Sequence, residues 1–147
     1  MLSGMTDDIH GPIDFVLIEF PADRLGGATA AALLDLVERG IVRIYDLLVI
    51  EKFVDGTFAG LDISALDDSH LGGLTAFAGA RSGLLGEDDV AEAAEALEPG
   101  TVAALIVYEN SWAIPFVAAA RSEGGELVAG ARIPAQAIND ALDALEA

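Results

Sequence analysis

The sequence contains no cysteine and very few basic residues. The lack of cysteine excludes disulfide bonds, thiolate metal sites and cysteine nucleophiles. Lys and Arg together number 7 against 25 Asp and Glu, which gives a formal net charge of −18 at pH 7. Because so acidic a chain repels phosphate groups, we expect no nucleic-acid binding through a basic surface and no electrostatic docking on anionic lipid.

Catalytic and cofactor motifs are also missing from the sequence. No stretch matches the glycine-rich dinucleotide fingerprint or the phosphate-binding loop that ends in Gly-Lys-Ser/Thr. No nucleophile-elbow sequence and no nearby Ser-His-acid order occurs. We therefore predict that the protein is not an enzyme and binds no cofactor.

Histidine is scarce, and one of the two histidines, His70, follows Asp67 and Asp68. Carboxylate and imidazole groups are competent metal ligands, but adjacent residues of a loop rarely converge on one ion. A solvated loop is the favoured interpretation, and we predict no metal site.

The sequence divides into a short lead and one domain. Residues 1–12 are polar and end in Gly-Pro, which predicts a disordered lead before the first strand. They lack the basic region and apolar core of a signal peptide, so we expect a cytoplasmic location. With 53% hydrophobic residues in the chain, residues 13–147 are predicted to form a single α+β domain with a glycine-rich and helical insertion at about 60–98.

Apolar periodicity predicts two β-α-β halves. The first central strand covers 13–20 and the second covers 101–109, and each contains a glutamate near its end. The other predicted elements are helices at about 27–39, 87–98 and 112–123, strands at 42–54, 57–59 and 126–133, and a terminal helix after Pro134 with Ile138, Leu142 and Leu145 on one face.

Two such halves predict a ferredoxin-like split β-α-β sandwich. The strands at 13–20 and 101–109 then lie side by side and parallel in the centre, with the strands at 42–54 and 126–133 at the edges. Both central strands are apolar on both alternations, so both faces of the sheet must be covered. Either the 60–98 insertion and the terminal helix or another subunit provides this cover. We favour a mixture of the two and predict a homo-oligomer.

Asp46 and Glu51 lie on the strand at 42–54, which is predicted to be an edge strand. Charged residues on an edge strand hinder edge-to-edge aggregation. We therefore interpret both as protective edge charges.

A resemblance to a known family rests on six short motifs along the chain. They are Gly-Pro-Ile-Asp-Phe at 11–15, Phe-Pro-Ala-Asp-Arg at 20–24, Leu-Val-Glu-Arg-Gly at 36–40, Arg-Ile-Tyr-Asp-Leu at 43–47, Leu-Glu-Pro-Gly-Thr at 97–101 and Arg-Ile-Pro-Ala at 132–135. Through them nearly the whole chain resembles an uncharacterised bacterial family, the domain of unknown function numbered 6325. The glycine-rich middle is more distantly similar to a second family of unknown function, often labelled predicted membrane proteins. The resemblance implies a fold and a bacterial cytosolic setting, without a catalytic residue or a substrate.

The glycine-rich apolar run at 71–85 bears on the membrane question. Gly79 and Gly83 have the spacing that lets helices approach closely. The run contains Arg81 and is too short to cross a bilayer as one helix. We predict no stable membrane insertion, with peripheral contact as the less favoured alternative.

Two carboxylates and two aromatic residues form the candidate site. If the central strands are parallel, Glu19 and Glu109 lie at the same end of the sheet, where paired carboxylates could bind a cation or act as acid and base. Tyr108 and Trp112 could line a ligand pocket beside them. The plainer interpretation is that the glutamates face solvent and the aromatic residues fill the corner between sheet and helix.

The favoured function is a non-enzymatic, acidic, self-associating structural or interaction protein. The alternative is a small-ligand or cation-sensing module, in which these four residues surround a cleft at the ends of the central strands. Neither function requires a cofactor.

Overall fold

The structure, a computed structural model, describes residues 10–21, 27–61, 74–77 and 82–146. In these residues the fold is α+β, and four helices accompany a four-stranded antiparallel sheet. The strands are β1 (Ile13–Pro21), β2 (Arg43–Lys52), β3 (Phe58–Leu61) and β4 (Thr101–Glu109), and the helices are α1 (Gly27–Glu38), α2 (Glu87–Glu95), α3 (Ile114–Ser122) and α4 (Ala135–Glu146). Short 3-10 turns cover Leu74–Phe77 and Ser111–Ala113.

Two glycines set the turns that follow α1 and β2. Gly40 has φ +72° and stands where α1 ends, so its lack of a side chain permits the left-handed conformation that stops the helix. Gly56 has φ +92° in the hairpin between β2 and β3. Asp55 stabilises this hairpin, because its Oδ1 accepts hydrogen bonds from the backbone N–H and the hydroxyl of Thr57.

The strand order is β1-β4-β2-β3, and every neighbouring pair is antiparallel. The predicted parallel pairing in the centre of the sheet is therefore wrong: β1 and β4 are neighbours, but they run in opposite directions and β1 lies at an edge. β2, predicted as an edge strand, is interior. This strand order does not confirm the ferredoxin-like arrangement, because residues 126–133 form no strand and β1 therefore lies at an edge of the sheet.

The position of β4 follows from its composition. Residues 102–107 are all buried, which requires a strand on each side and cover on both faces. β1 mixes half-buried with exposed residues, as an edge strand does. A strand that is apolar on both faces fits equally well beside a parallel or an antiparallel neighbour. The direction of the strands therefore could not be predicted from this pattern.

Each face of the sheet carries its own core. The first face packs Leu47, Val49 and Ile106 against Ala30 of α1 and the 3-10 turn at Leu74–Phe77. On the second face, Ile50, Ala103 and Leu105 pack against Ala94 and Leu97, in α2 and just after it. The insertion at 60–98 therefore covers part of the second face, whereas the terminal helix, predicted to share this cover, is exposed along its length.

The C-terminal part differs most from the prediction. Residues 126–133, predicted as a strand, have no regular secondary structure and form no backbone hydrogen bond with other described residues. A strand is stable only when a neighbour pairs with its backbone, and this segment has no such neighbour in the described part of the chain. Every residue of α4 is exposed, including the predicted apolar face.

Some predictions concern residues that the structure does not describe. The first nine residues of the predicted disordered lead, the predicted loop around His70, and residues 71–73 and 78–81 of the glycine-rich run lie outside the described ranges. In the described ranges, no helix has both the length and the apolar character that crossing a membrane requires.

Lys52, the only lysine of the chain, stabilises the C-terminal end of α2. Its Nζ donates hydrogen bonds to the carbonyl oxygens of Ala94 at 2.9 Å and Leu97 at 3.0 Å. The carboxyl end of a helix carries unpaired carbonyl groups and partial negative charge, so a cation is favoured there. We expect Lys52→Met to lower the free energy of unfolding by about 1–2 kcal/mol, measured by urea denaturation.

The matched control for this prediction is Arg39→Met. Arg39 forms an exposed ion pair with Asp35 one helical turn away, at 3.2 Å. Loss of such a pair should change the free energy of unfolding by less than about 0.5 kcal/mol. Equal effects of the two substitutions would contradict a helix-capping role for Lys52.

Candidate functional site

Glu109, the last residue of β4, is a buried carboxylate at one end of the sheet. Its side chain is 3% exposed. Oε2 accepts a hydrogen bond from the backbone N–H of Gly11 at 3.0 Å and lies 3.1 Å from Nδ1 of His10. Oε1 accepts a hydrogen bond from the hydroxyl of Ser111 at 3.3 Å. The carboxylate therefore holds the segment that precedes β1 against the end of β4.

The close approach of residues 10–12 to the end of β4 requires glycine at position 11. A Cβ atom at this position would lie 2.1 Å from the backbone carbonyl oxygen of Asn110, far inside van der Waals contact. Asn110 completes the attachment, because its backbone N–H and its side-chain amide both donate to the carbonyl oxygen of Pro12, at 2.8 and 2.9 Å. Residues 10–12 are thus pinned to the sheet at three consecutive positions.

Tyr45 joins the same cluster from β2. The register with β4 shifts between Ile44 and Asp46, so Tyr45 is the extra residue of a β-bulge. Its hydroxyl lies 3.3 Å from Nδ1 of His10. The guanidinium of Arg43 lies 5.4 Å from the centroid of its ring, within the range of a cation–π contact.

The environment of Tyr45 affects its titration. Burial, followed by the negative charge of Glu109, raises the pKa of Tyr45 above its ordinary value of 10.0. The folded chain therefore binds this proton more tightly than the unfolded chain. The corresponding stability is complete below pH 10 and is lost as the pH rises through the folded-state pKa.

We expect the absorbance titration at 295 nm to contain a phenolate component that appears above pH 10 and is absent in Tyr45→Phe. Glu109→Gln should move this component to lower pH, because it removes the negative charge that opposes ionisation. A Tyr45 component that titrates at or below the ordinary value, or that Glu109→Gln leaves in place, would contradict this description of the cluster.

Glu19 does not lie beside Glu109. In the register of β1 with β4, Glu19 is opposite Ala103, six positions from Glu109, or about 20 Å along the strand. Its Oε2 accepts hydrogen bonds from the backbone N–H of Glu98 at 2.7 Å and the hydroxyl of Thr101 at 3.2 Å. The predicted pairing of the two carboxylates is wrong because it depended on parallel strands.

The two aromatic candidates are also separated from the carboxylate of Glu109. Tyr108 faces the first core, and its hydroxyl accepts a hydrogen bond from Arg132 at 2.7 Å. Trp112 is largely exposed, and its Nε1 donates to the side-chain oxygen of Asn110 at 3.2 Å. The structure therefore does not bring the four predicted site residues into one cleft.

A second buried carboxylate, Asp46, was not predicted as such. It lies on the interior strand β2 and is 2% exposed, so it is not the edge charge that the sequence suggested. It accepts hydrogen bonds from the backbone N–H of Ser82 at 3.0 Å and from the hydroxyl of the same residue. A single acid inside the otherwise apolar and aromatic run at 44–50 was the available signal, since such an acid must find buried donors.

Both buried carboxylates accept hydrogen bonds from groups of the chain itself. Every buried side-chain oxygen or nitrogen in the described residues has a hydrogen-bond partner, and the partners of Glu109 and Asp46 are groups of the chain itself. No group of three or more potential metal-ligating side chains occurs in the described residues. Both carboxylates therefore act as attachment points for neighbouring segments.

The second face of the sheet contains an open groove between β1, β4 and α2. Its volume is about 480 Å³, and its walls are mainly apolar. Phe15 is 68% exposed along it. The main lining residues are Ile13, Phe15, Leu17, Leu85, Ala93 and Leu105.

Comparison with known proteins identifies a family but indicates no activity. The model of a family of unknown function (DUF6325) matches residues 9–147. No curated protein and no solved structure matches the chain.

Proposed function

The chain belongs to this family of unknown function, and from its own residues we propose that it is a non-enzymatic, acidic protein that acts by self-association. The observation that carries the proposal is the exposure of the C-terminal segment, residues 126–146. None of its side chains is buried. The cytoplasmic location stays a prediction.

The C-terminal segment is exposed although much of it is apolar. Single exposed apolar side chains are ordinary, but a continuous stretch that exposes many of them is typical of an interaction surface. Six large apolar residues of the segment are more than half exposed: Leu127, Val128, Ile133, Ile138, Leu142 and Leu145.

A complementary surface is present on the same chain. The groove on the second face leaves Ile13 and Phe15 exposed, and α2 covers only the neighbouring part of that face. A chain that offers both an exposed apolar helix and an apolar groove can bury both by pairing with a second copy. Closed two-fold pairing is the commonest form of such assembly.

Apolar burial must drive this association, because charge opposes it. Two copies that each carry a net charge of −18 repel each other until salt screens the charges. The buried carboxylates support a non-enzymatic role, since both are occupied by groups that attach one segment of the chain to another.

Light scattering across a concentration series tests the proposal. In about 0.5 M NaCl, where the repulsion is screened, we expect the mass of a dimer or larger assembly at micromolar protein. At low salt the same protein should shift toward the 15.1 kDa monomer. A 15.1 kDa species at every salt and protein concentration would overturn self-association.

A further inference from the structure

We propose that residues 126–133 of one copy pair as a β-strand with the free edge of β1 in a second copy. This inference rests on the self-association proposed above and specifies how it occurs. In the described part of the chain, β1 pairs only with β4, so the other edge of its nine residues presents unpaired backbone N–H and C=O groups. Such an edge is a template for another strand.

The segment at 126–133 has the properties of the missing strand. It is eight residues long, its backbone has no partner among the described residues, and none of its side chains is buried. Every second residue from Leu127 to Ile133 is apolar, which is the pattern of a strand with one apolar side. Two unpaired features of matching length, an edge and a strand-forming segment, thus occur in the same molecule.

An ion pair indicates the register. Within a single chain, Arg132 lies 3.5 Å from the carboxylate of Asp14 on β1, and the exchange would re-form this ion pair between two copies. If the strands are antiparallel and these two residues stand opposite each other, Val128 is opposite Ile18. In this register Glu126 is opposite Phe20, so no acid of β1 faces it. The apolar side chains of Val128 and Ile18 face each other and add cross-strand contact.

The position of the segment in its own chain argues for a second copy. Glu126 and Leu127 line a small cavity beside His10, at the N-terminal end of β1. The proposed register would place them beside Phe20 and Glu19, about 20 Å away at the other end of the strand. The segment of the same chain therefore enters at the wrong end to follow β1 in this direction.

Two glycines directly before residues 126–133 can permit the exchange of this segment between copies. Gly124, with φ +86°, and Gly125 connect α3 to residue 126. Glycine adopts many backbone conformations at low cost, and exchange of a terminal segment about such a link is a low-cost route to a dimer. The partner's α4 would then begin next to Ile13, at the mouth of the apolar groove.

The absence of native cysteine makes disulfide trapping a clean test. We would coexpress Ile18→Cys and Val128→Cys chains that carry different tags and oxidise the purified protein. Opposed residues on one face of antiparallel strands have Cβ atoms about 4.5–5.5 Å apart, close to disulfide geometry. The matched control replaces Val128→Cys with Leu127→Cys, whose side chain points to the other face of the strand.

We expect the disulfide-linked heterodimer to form in roughly tenfold higher yield with Val128→Cys than with Leu127→Cys, because only the first pair shares a face. Equal yields, or disulfides mainly between two Ile18→Cys chains, would overturn the proposed pairing. So would an intrachain disulfide in the Ile18→Cys/Val128→Cys double variant. All three positions are at the surface, and circular dichroism should show the native fold in each variant.

Light scattering of the same samples separates this inference from the function on which it rests. A dimer without the selective disulfide would overturn only the strand exchange. A monomer would overturn self-association and the strand exchange together.

Discussion

Glu109→Ala is expected to lower the free energy of unfolding by about 3 kcal/mol. The substitution removes an acceptor that is 3% exposed, leaves the N–H of Gly11 and the hydroxyl of Ser111 without their acceptor, and removes one of the two partners of the His10 imidazole. A buried donor that loses its acceptor costs more than the hydrogen bond itself contributes. Urea denaturation measures the effect.

Glu19→Ala is the matched control, because it removes the carboxylate of the other predicted site glutamate, which lies at an exposed position on the edge strand β1. Its two hydrogen bonds, to Glu98 and Thr101, are at the surface, and we expect a loss of at most about 1 kcal/mol. Similar losses for the two glutamates would contradict the attachment role of Glu109. An unchanged or higher stability of Glu109→Ala would instead favour a functional role, since binding groups are often kept at a cost in stability.

The elements could be predicted from the sequence where the signal was local. Helical spacing and Gly40 placed the helix at about 27–39, and the structure has it at Gly27–Glu38. Asp55-Gly56 correctly predicted the hairpin between β2 and β3. Strand pairing was not local, because apolar residues on both alternations of β4 suit either direction of its neighbours.

The candidate site, too, could be predicted only where the signal was local. Glu109 could be selected from the sequence because it ends a strongly apolar strand, but its partners, His10 and Gly11, are 99 and 98 positions away in sequence. No short motif connects residues so far apart. The bulge at Tyr45 and the pairing of Asp46 with Ser82 are likewise products of the tertiary fold.

The apolar character of the central strands raised the question of what covers the sheet. α2 answers it for the part of the second face around Ile50 and Leu105. It leaves Phe15 exposed at the edge, and the only charges on β1 that could protect that edge are Asp14 and Glu19. The uncovered region is thus narrow and lies beside an edge of β1 that no other described residue pairs with. One added strand followed by a helix would cover a region of this size, and a second sheet would be too wide.

The combined substitution Ile138→Ser/Leu142→Ser/Leu145→Ser is expected to abolish dimer formation at micromolar protein. These residues recur at i, i+4 and i+7, so they form one face of α4. Together their burial contributes roughly 3 kcal/mol per copy, given that each is already partly covered. The dissociation constant should therefore rise by at least about 100-fold.

Because no residue of α4 is buried, the serine substitutions open no cavity in the described core, and the urea midpoint of the monomer should stay unchanged. Gln136→Ser/Asn139→Ser, away from the apolar face of the same helix, is the control for altered helix propensity and should leave the dimer intact. Light scattering in about 0.5 M NaCl, where charge repulsion is screened, compares the two variants directly. A serine variant that remains dimeric would exclude α4 from the interface, and a control variant that also dissociates would show that the helix fold, and not its apolar face, controls association.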